Sequence, residues 1–112
     1  MSAITTHVLD AALGQPAAGV PVTLERIDQD GSCVSISAKA TDSDGRVADL
    51  APERVDAGTY RLTFDTASYF AATGQTGFYP LVSIVVTITD PQQHHHVPLL
   101  LSPFAYSTYR GS

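Results

Sequence analysis

A chain of 112 residues with net charge −5, 44% hydrophobic and only 15% charged, is sized for one domain, residues 1–112, around one core. Its six Lys and Arg are scattered without a basic stripe for nucleic acid, and no apolar run reaches the ~18–20 residues of a membrane span. The single cysteine, Cys33, excludes an intrachain disulfide and a Cys-based zinc site.

The opening MSAITTHVLD has neither a basic n-region nor a long apolar h-region, so it does not read as a secretory signal and a cytoplasmic location is expected. Ile4–Asp10 alternates as a strand, with Thr6, Val8 and Asp10 on one side and Thr5, His7 and Leu9 on the other. Gly14, Pro16 and Gly19 break the chain into a loop. Val20–Asp28 is a second strand, with Val20, Val22, Leu24 and Arg26 on one face. Asp30-Gly31 then turns into a third, Ser32–Ala40, where Cys33 reads as a small packing residue. Asp42-Ser43-Asp44-Gly45 is another turn, and Arg46–Leu50 a short strand leaving it.

Gly58–Phe64 places Tyr60, Leu62 and Phe64 together. Asp65 can cap a helix running from Thr66 to about Thr73, closed by Gly74 and anchored by Tyr69 and Phe70. Leu81–Thr89 turns Val82, Ile84, Val86 and Ile88 inward. After Asp90-Pro91, His94–Leu101 and Ala105–Tyr109 flank a Ser102-Pro103 turn. Eight short strands and one helix describe an all-β, two-sheet sandwich; periodicity alone leaves a small barrel open.

The tail, HHHVPLLLSPFAYSTYRGS, keeps His and Arg but contains no Asp or Glu after Asp90, which suits an anionic or polar ligand. In a strand, His94 and His96 share one face and His95 takes the other. Two imidazoles at that spacing can bind zinc or copper if a third ligand converges, and the sequence identifies none. A solvated cluster is the plain reading for His95 and extends to His94. His96 leads directly into Val-Pro-Leu-Leu-Leu, at the rim of an apolar surface where partial burial tunes an imidazole for acid–base work. Alone, His7 in mid-strand reads as structural and Arg46 as a surface charge.

Taken together, Thr-His-Val-Leu-Asp, Asp-Gly-Arg, Tyr-Arg-Leu-Thr-Phe-Asp-Thr, His-x-His-Val-Pro-Leu-Leu-Leu-Ser-Pro and the final Tyr-Arg-Gly-Ser resemble the transthyretin-like 5-hydroxyisourate hydrolase family over essentially the whole chain. The resemblance implies a prealbumin-like sandwich and the opening of a purine-like ring, 5-hydroxyisourate, to 2-oxo-4-hydroxy-4-carboxy-5-ureidoimidazoline. It gives His7, Arg46 and His96 catalytic roles. Substrate contacts fall to His7, Arg46, Tyr109 and Ser112, while Arg110 is left open between the site and pinning the tail. Either His7 or His96 can deprotonate water, and Arg46 steadies the developing oxyanion. No metal or organic cofactor is required. His95 and Leu81 depart from the family, which commonly has Tyr and an acidic residue there.

Transthyretin, a hormone carrier with the same fold, has Lys, Glu and Thr in place of His7, Arg46 and His96 and lacks the Tyr-Arg-Gly-Ser ending. It supplies the alternative of a non-catalytic binder; an adhesion-type sandwich would need none of these residues. The apolar face of His96, Pro98 and Leu100, and the absence of a purine-sized pocket within two flat sheets, suit a site shared between subunits. The resemblance implies a homotetramer made of two dimers.

Overall fold

The computed structural model describes residues 2–111. Its strands are β1 (Ile4–Asp10), β2 (Gln15–Pro16), β3 (Pro21–Ile27), β4 (Cys33–Ala40), β5 (Arg46–Val47), β6 (Gly58–Phe64), β7 (Val82–Ile88), β8 (His95–Ser102) and β9 (Ala105–Thr108), with one helix, α1 (Thr66–Ala72). One sheet runs β2-β1-β8-β9, with β5 also pairing β1. The other runs β4-β3-β6-β7. The two-sheet sandwich expected from the turn spacing is therefore present.

Alternation decides which side chains meet between the layers. Ile4 and Val8 of β1 and Val97, Leu99 and Leu101 of β8 face Val22, Leu24, Tyr60, Leu62, Phe64, Val82, Ile84 and Ile88 of the second sheet, all buried. Each large side chain removed from water this way contributes about 1.5–3 kcal/mol before the entropy of ordering is subtracted. Helix α1 closes one end. Asp65 Oδ1 accepts from the Ser68 amide at 3.1 Å, as an N-cap should, and Tyr69 and Phe70 are buried. The Tyr69 hydroxyl donates to Asp10 Oδ2 at 2.6 Å, tying the helix to the end of β1.

Four expectations need correction. Gln15–Pro16, read as part of a loop, pairs with the end of β1 as β2, so the described residues hold nine strands rather than eight. The run Arg46–Leu50 contributes only Arg46–Val47 as strand: pairing with β1 ends at Thr6 and Val47, and beyond it Leu50 is buried with its carbonyl accepting from the Ser37 hydroxyl of β4. Cys33 is exposed rather than packed, with Arg61 Nη2 donating to its sulfur at 3.4 Å. His95 is buried rather than solvated, at 8% exposure. No helix among the described residues is long and apolar enough to cross a membrane.

Candidate active site

The register of β1 with its two neighbours assembles the polar residues. On one edge, antiparallel β5 sets Arg46 opposite His7. On the other, parallel β8 sets His96 opposite Thr5. The inward side of β1 is taken by Ile4, Thr6, Val8 and Asp10, so Thr5 and His7 face outward. Residues paired in register project to the same side. Two imidazoles, a guanidinium and a hydroxyl therefore meet on the outer face of one sheet.

The turn before β5 holds its members in place. Asp42 Oδ1 accepts from the amides of Asp44 at 2.9 Å and Arg46 at 3.0 Å. Those amides, the Arg46 one foremost, and the charges of Arg46 and His7 hold the Asp42 carboxyl below its ordinary range. Gly45 adopts φ +79° while its carbonyl accepts from the Val8 amide at 2.7 Å. A β-carbon there would lie 2.3 Å from the Val8 carbonyl oxygen, so only glycine lets this turn lie against β1. The His7 Nε2–H donates to the Asp44 carbonyl at 2.8 Å, which leaves Nδ1 of the neutral ring as a lone pair.

His96 is held from both sides. Its Nδ1 lies 2.7 Å from the Thr5 hydroxyl, which also lies 3.2 Å from Nε2 of His94. His94 in turn donates from Nδ1 to the Ser2 carbonyl at 2.8 Å. The Gly111 amide donates to the His96 carbonyl at 2.8 Å. Burial, then the charge of the Arg46 guanidinium, push the His96 pKa down, so the ring stays neutral below the usual histidine range.

A recess of about 240 Å³ is lined by Thr5, Thr6, Arg46, Val47, Ala48, His94 and His96. His7 stands beside it, next to Arg46 in register. Tyr109 does not line this recess. It lines a separate cleft of about 280 Å³ between β7 and the tail, together with Arg110 and His96, so His96 belongs to both. Ser112, assigned a substrate contact from the sequence, lies outside the described residues. Among the described residues no three His, Cys, Asp or Glu side chains group as a metal site; His94 and His96 converge on a hydroxyl instead.

Sequence reasoning missed Thr5 and left His94 without a role. The available signal was parity, since Thr5 precedes His7 by two residues and shares its face. What parity could not supply is the partner strand, which lies 91 residues away.

Residues 4–111 match the model of the HIUase/Transthyretin family. The chain is 47% identical to the 5-hydroxyisourate hydrolase of Mus musculus over 115 residues, covering 99% of this chain and 96% of that protein. Among solved structures, the 5-hydroxyisourate hydrolase of Klebsiella pneumoniae superposes with TM-score 0.85 at 36% identity, covering 97% of this chain and 98% of that one. Sea bream transthyretin in complex with thyroxine superposes with TM-score 0.92 at 32% identity, covering 97% and 94%. The backbone is thus similar both to a 5-hydroxyisourate hydrolase and to a transthyretin in complex with thyroxine.

Proposed function

The chain belongs to the HIUase/Transthyretin family, and we propose that residues 1–112 form one domain that hydrolyses 5-hydroxyisourate to 2-oxo-4-hydroxy-4-carboxy-5-ureidoimidazoline in urate degradation. The observation that carries this is the double register of β1, which sets Arg46 beside His7 and His96 beside Thr5 on one face. Opening the ring requires a base for water and positive charge where oxygen becomes anionic. A neutral imidazole meets the first need and the Arg46 guanidinium, lining the same recess, meets the second. In this reading His7 and Arg46 also hold the ring of the substrate, and Tyr109 and Ser112 contact its edge.

The second reading, a carrier like transthyretin, is favoured by the superposition on the thyroxine complex. Against it, the polar side chains of the recess, set beside Val47 and Ala48, are imidazoles, hydroxyls and a guanidinium, which suit an oxygen-rich planar ring better than an apolar hormone. Fresh 5-hydroxyisourate, generated from urate with urate oxidase, decides between them. Its ultraviolet absorbance should decay faster with the purified protein than in buffer, before and after exhaustive EDTA treatment. Decay no faster than buffer, with thyroxine bound instead, would give the carrier.

The working form is a cytoplasmic homotetramer, two dimers with the sites in the channel between them. Edge strands support this reading. All four residues of β9, Tyr106 among them, are exposed, as is Phe104, and Val85 projects outward from the β7 edge. Unpaired edges with apolar side chains are surfaces that another copy covers. The Tyr109 cleft lies between these two edges, so pairing there would bring Tyr109 and the tail under a second subunit.

A further inference from the structure

We propose that Thr5 and His94 are positioning residues that hold His96 as its Nδ1–H tautomer and so make Nε2 the lone pair that takes the proton of the attacking water. This rests on the hydrolase reading above and names which histidine is the base.

The direction of the hydrogen bonds is decided at Ser2. A backbone carbonyl can only accept, so Nδ1 of His94, 2.8 Å away, carries the hydrogen. Neutral His94 then has a lone pair on Nε2, facing the Thr5 hydroxyl at 3.2 Å, and only that hydroxyl can supply a hydrogen there. With its one hydrogen used, Thr5 Oγ1 offers lone pairs to His96 at 2.7 Å, and Nδ1 of His96 must be the donor. A neutral imidazole has a single N–H, so Nε2 of His96 is left bare.

The anchor of this chain is fixed. Ser2 is buried, and its hydroxyl accepts from the Ala51 amide at 2.9 Å and lies 2.7 Å from the carbonyls of Ile4 and Ala51. His7 also has a bare nitrogen, but His96, not His7, lines the recess with Arg46. Burial, and after it the Arg46 guanidinium, separately favour a neutral His96.

The step then balances. The water oxygen bonds to a ring carbonyl carbon, its proton passes to Nε2, and the carbonyl electrons become an oxyanion beside Arg46. Collapse breaks the ring C–N bond, and the departing nitrogen takes the proton back from His96. As Nε2 gains charge, the Nδ1–H donation to Thr5 strengthens, and that donation in turn is held by His94.

Long-range proton–nitrogen NMR spectra above the histidine pKa test the relay without substrate. Wild-type His96 should show a protonated Nδ1 and an unprotonated Nε2. Thr5→Val, which keeps the shape but loses both hydrogen bonds, should move protonation toward Nε2, and Thr5→Ser should restore the wild-type pattern. In parallel, Thr5→Val should lower kcat about tenfold with KM little changed, a part of what a general base contributes, and Thr5→Ser should recover most of it. An Nε2–H tautomer in the wild type, or a Thr5→Val protein with unaltered spectrum and kcat, would overturn the proposal. If the tautomer is as stated and 5-hydroxyisourate is left untouched, the hydrolase reading falls and the relay stands.

Discussion

Gly111 lies against the imidazole of His96. Its amide donates to the His96 carbonyl at 2.8 Å, and a β-carbon built on it would sit 2.7 Å from Cδ2 of the ring. The glycine of the Tyr-Arg-Gly-Ser ending is thus required for space beside the proposed base. Gly111→Ala should shift a ring that Thr5 already holds on its other side. Displacements of that kind cost on the order of 10²-fold in rate, while the melting temperature should change little because the tail contributes little to the core. Unchanged kcat in Gly111→Ala would remove the tail from the site.

The acid limb of the rate should lie lower than an ordinary histidine gives. Burial and the nearby cations depress the His96 pKa, and a base must be neutral. The rate is therefore full above the depressed pKa and falls as pH drops through it. Stability follows the same sign, since below about pH 6.5 the unfolded chain binds the proton that folded His96 refuses. Arg46→Gln should move the acid limb of kcat upward and lower its plateau. A limb unmoved by that change would mean that Arg46 does not act on His96.

Histidine substitutions should separate by face. His7→Asn and His96→Asn should each lower turnover strongly, whereas His95→Asn should leave it nearly intact. His95 matters to stability instead, because its Nδ1 is buried with no hydrogen-bond partner among the described residues. Replacing an unpaired buried polar side chain by an apolar one of similar size recovers about 1–3 kcal/mol, so His95→Leu should raise the melting temperature. A fall would show that a second subunit supplies the missing partner.

The tail should tolerate little beyond itself. If Tyr109–Ser112 folds into the channel of the proposed tetramer, a C-terminal extension should cut activity far more than an N-terminal tag of equal length. Deletion of those four residues should do the same without unfolding the protein. Light scattering and assays of the two tagged forms check this. A fully active monomer, or undiminished turnover with the extension, would refute it.

The fold was legible because its signals are local. Alternation in Val82–Ile88 and the Asp65 cap each act within a few residues, and β7 and α1 formed where they placed them. His95 shows where that reading stops. Period-2 parity separates it from His94 and His96, but parity cannot say which side faces the core. His95 shares its side with Val97, Leu99 and Leu101, and their burial carries it inward. The relay was equally hidden, since Ser2, Thr5, His94 and His96 meet only through a strand register that no local pattern encodes. The Asp10 carboxylate is a further case. Burial pushes its pKa up, and donors from Tyr69, Leu13, Gln75 and Ala12 outweigh it and hold it down. Nothing in Thr-His-Val-Leu-Asp announces them.

Parallel pairing of β1 with β8 joins the earliest long strand of the chain to one of the latest, Thr5 to His96 across 91 residues. On the ribosome, β1 is synthesised with its principal neighbour still untranslated, and every strand of the opposite sheet emerges before that neighbour does. Long-range closure of this kind is slow, and the waiting strand exposes an edge open to aggregation. A message cut short anywhere before His96 therefore yields a polypeptide with neither a finished sheet nor the proposed base, so partial translation products should carry no residual catalysis and should fall to chaperones and proteases.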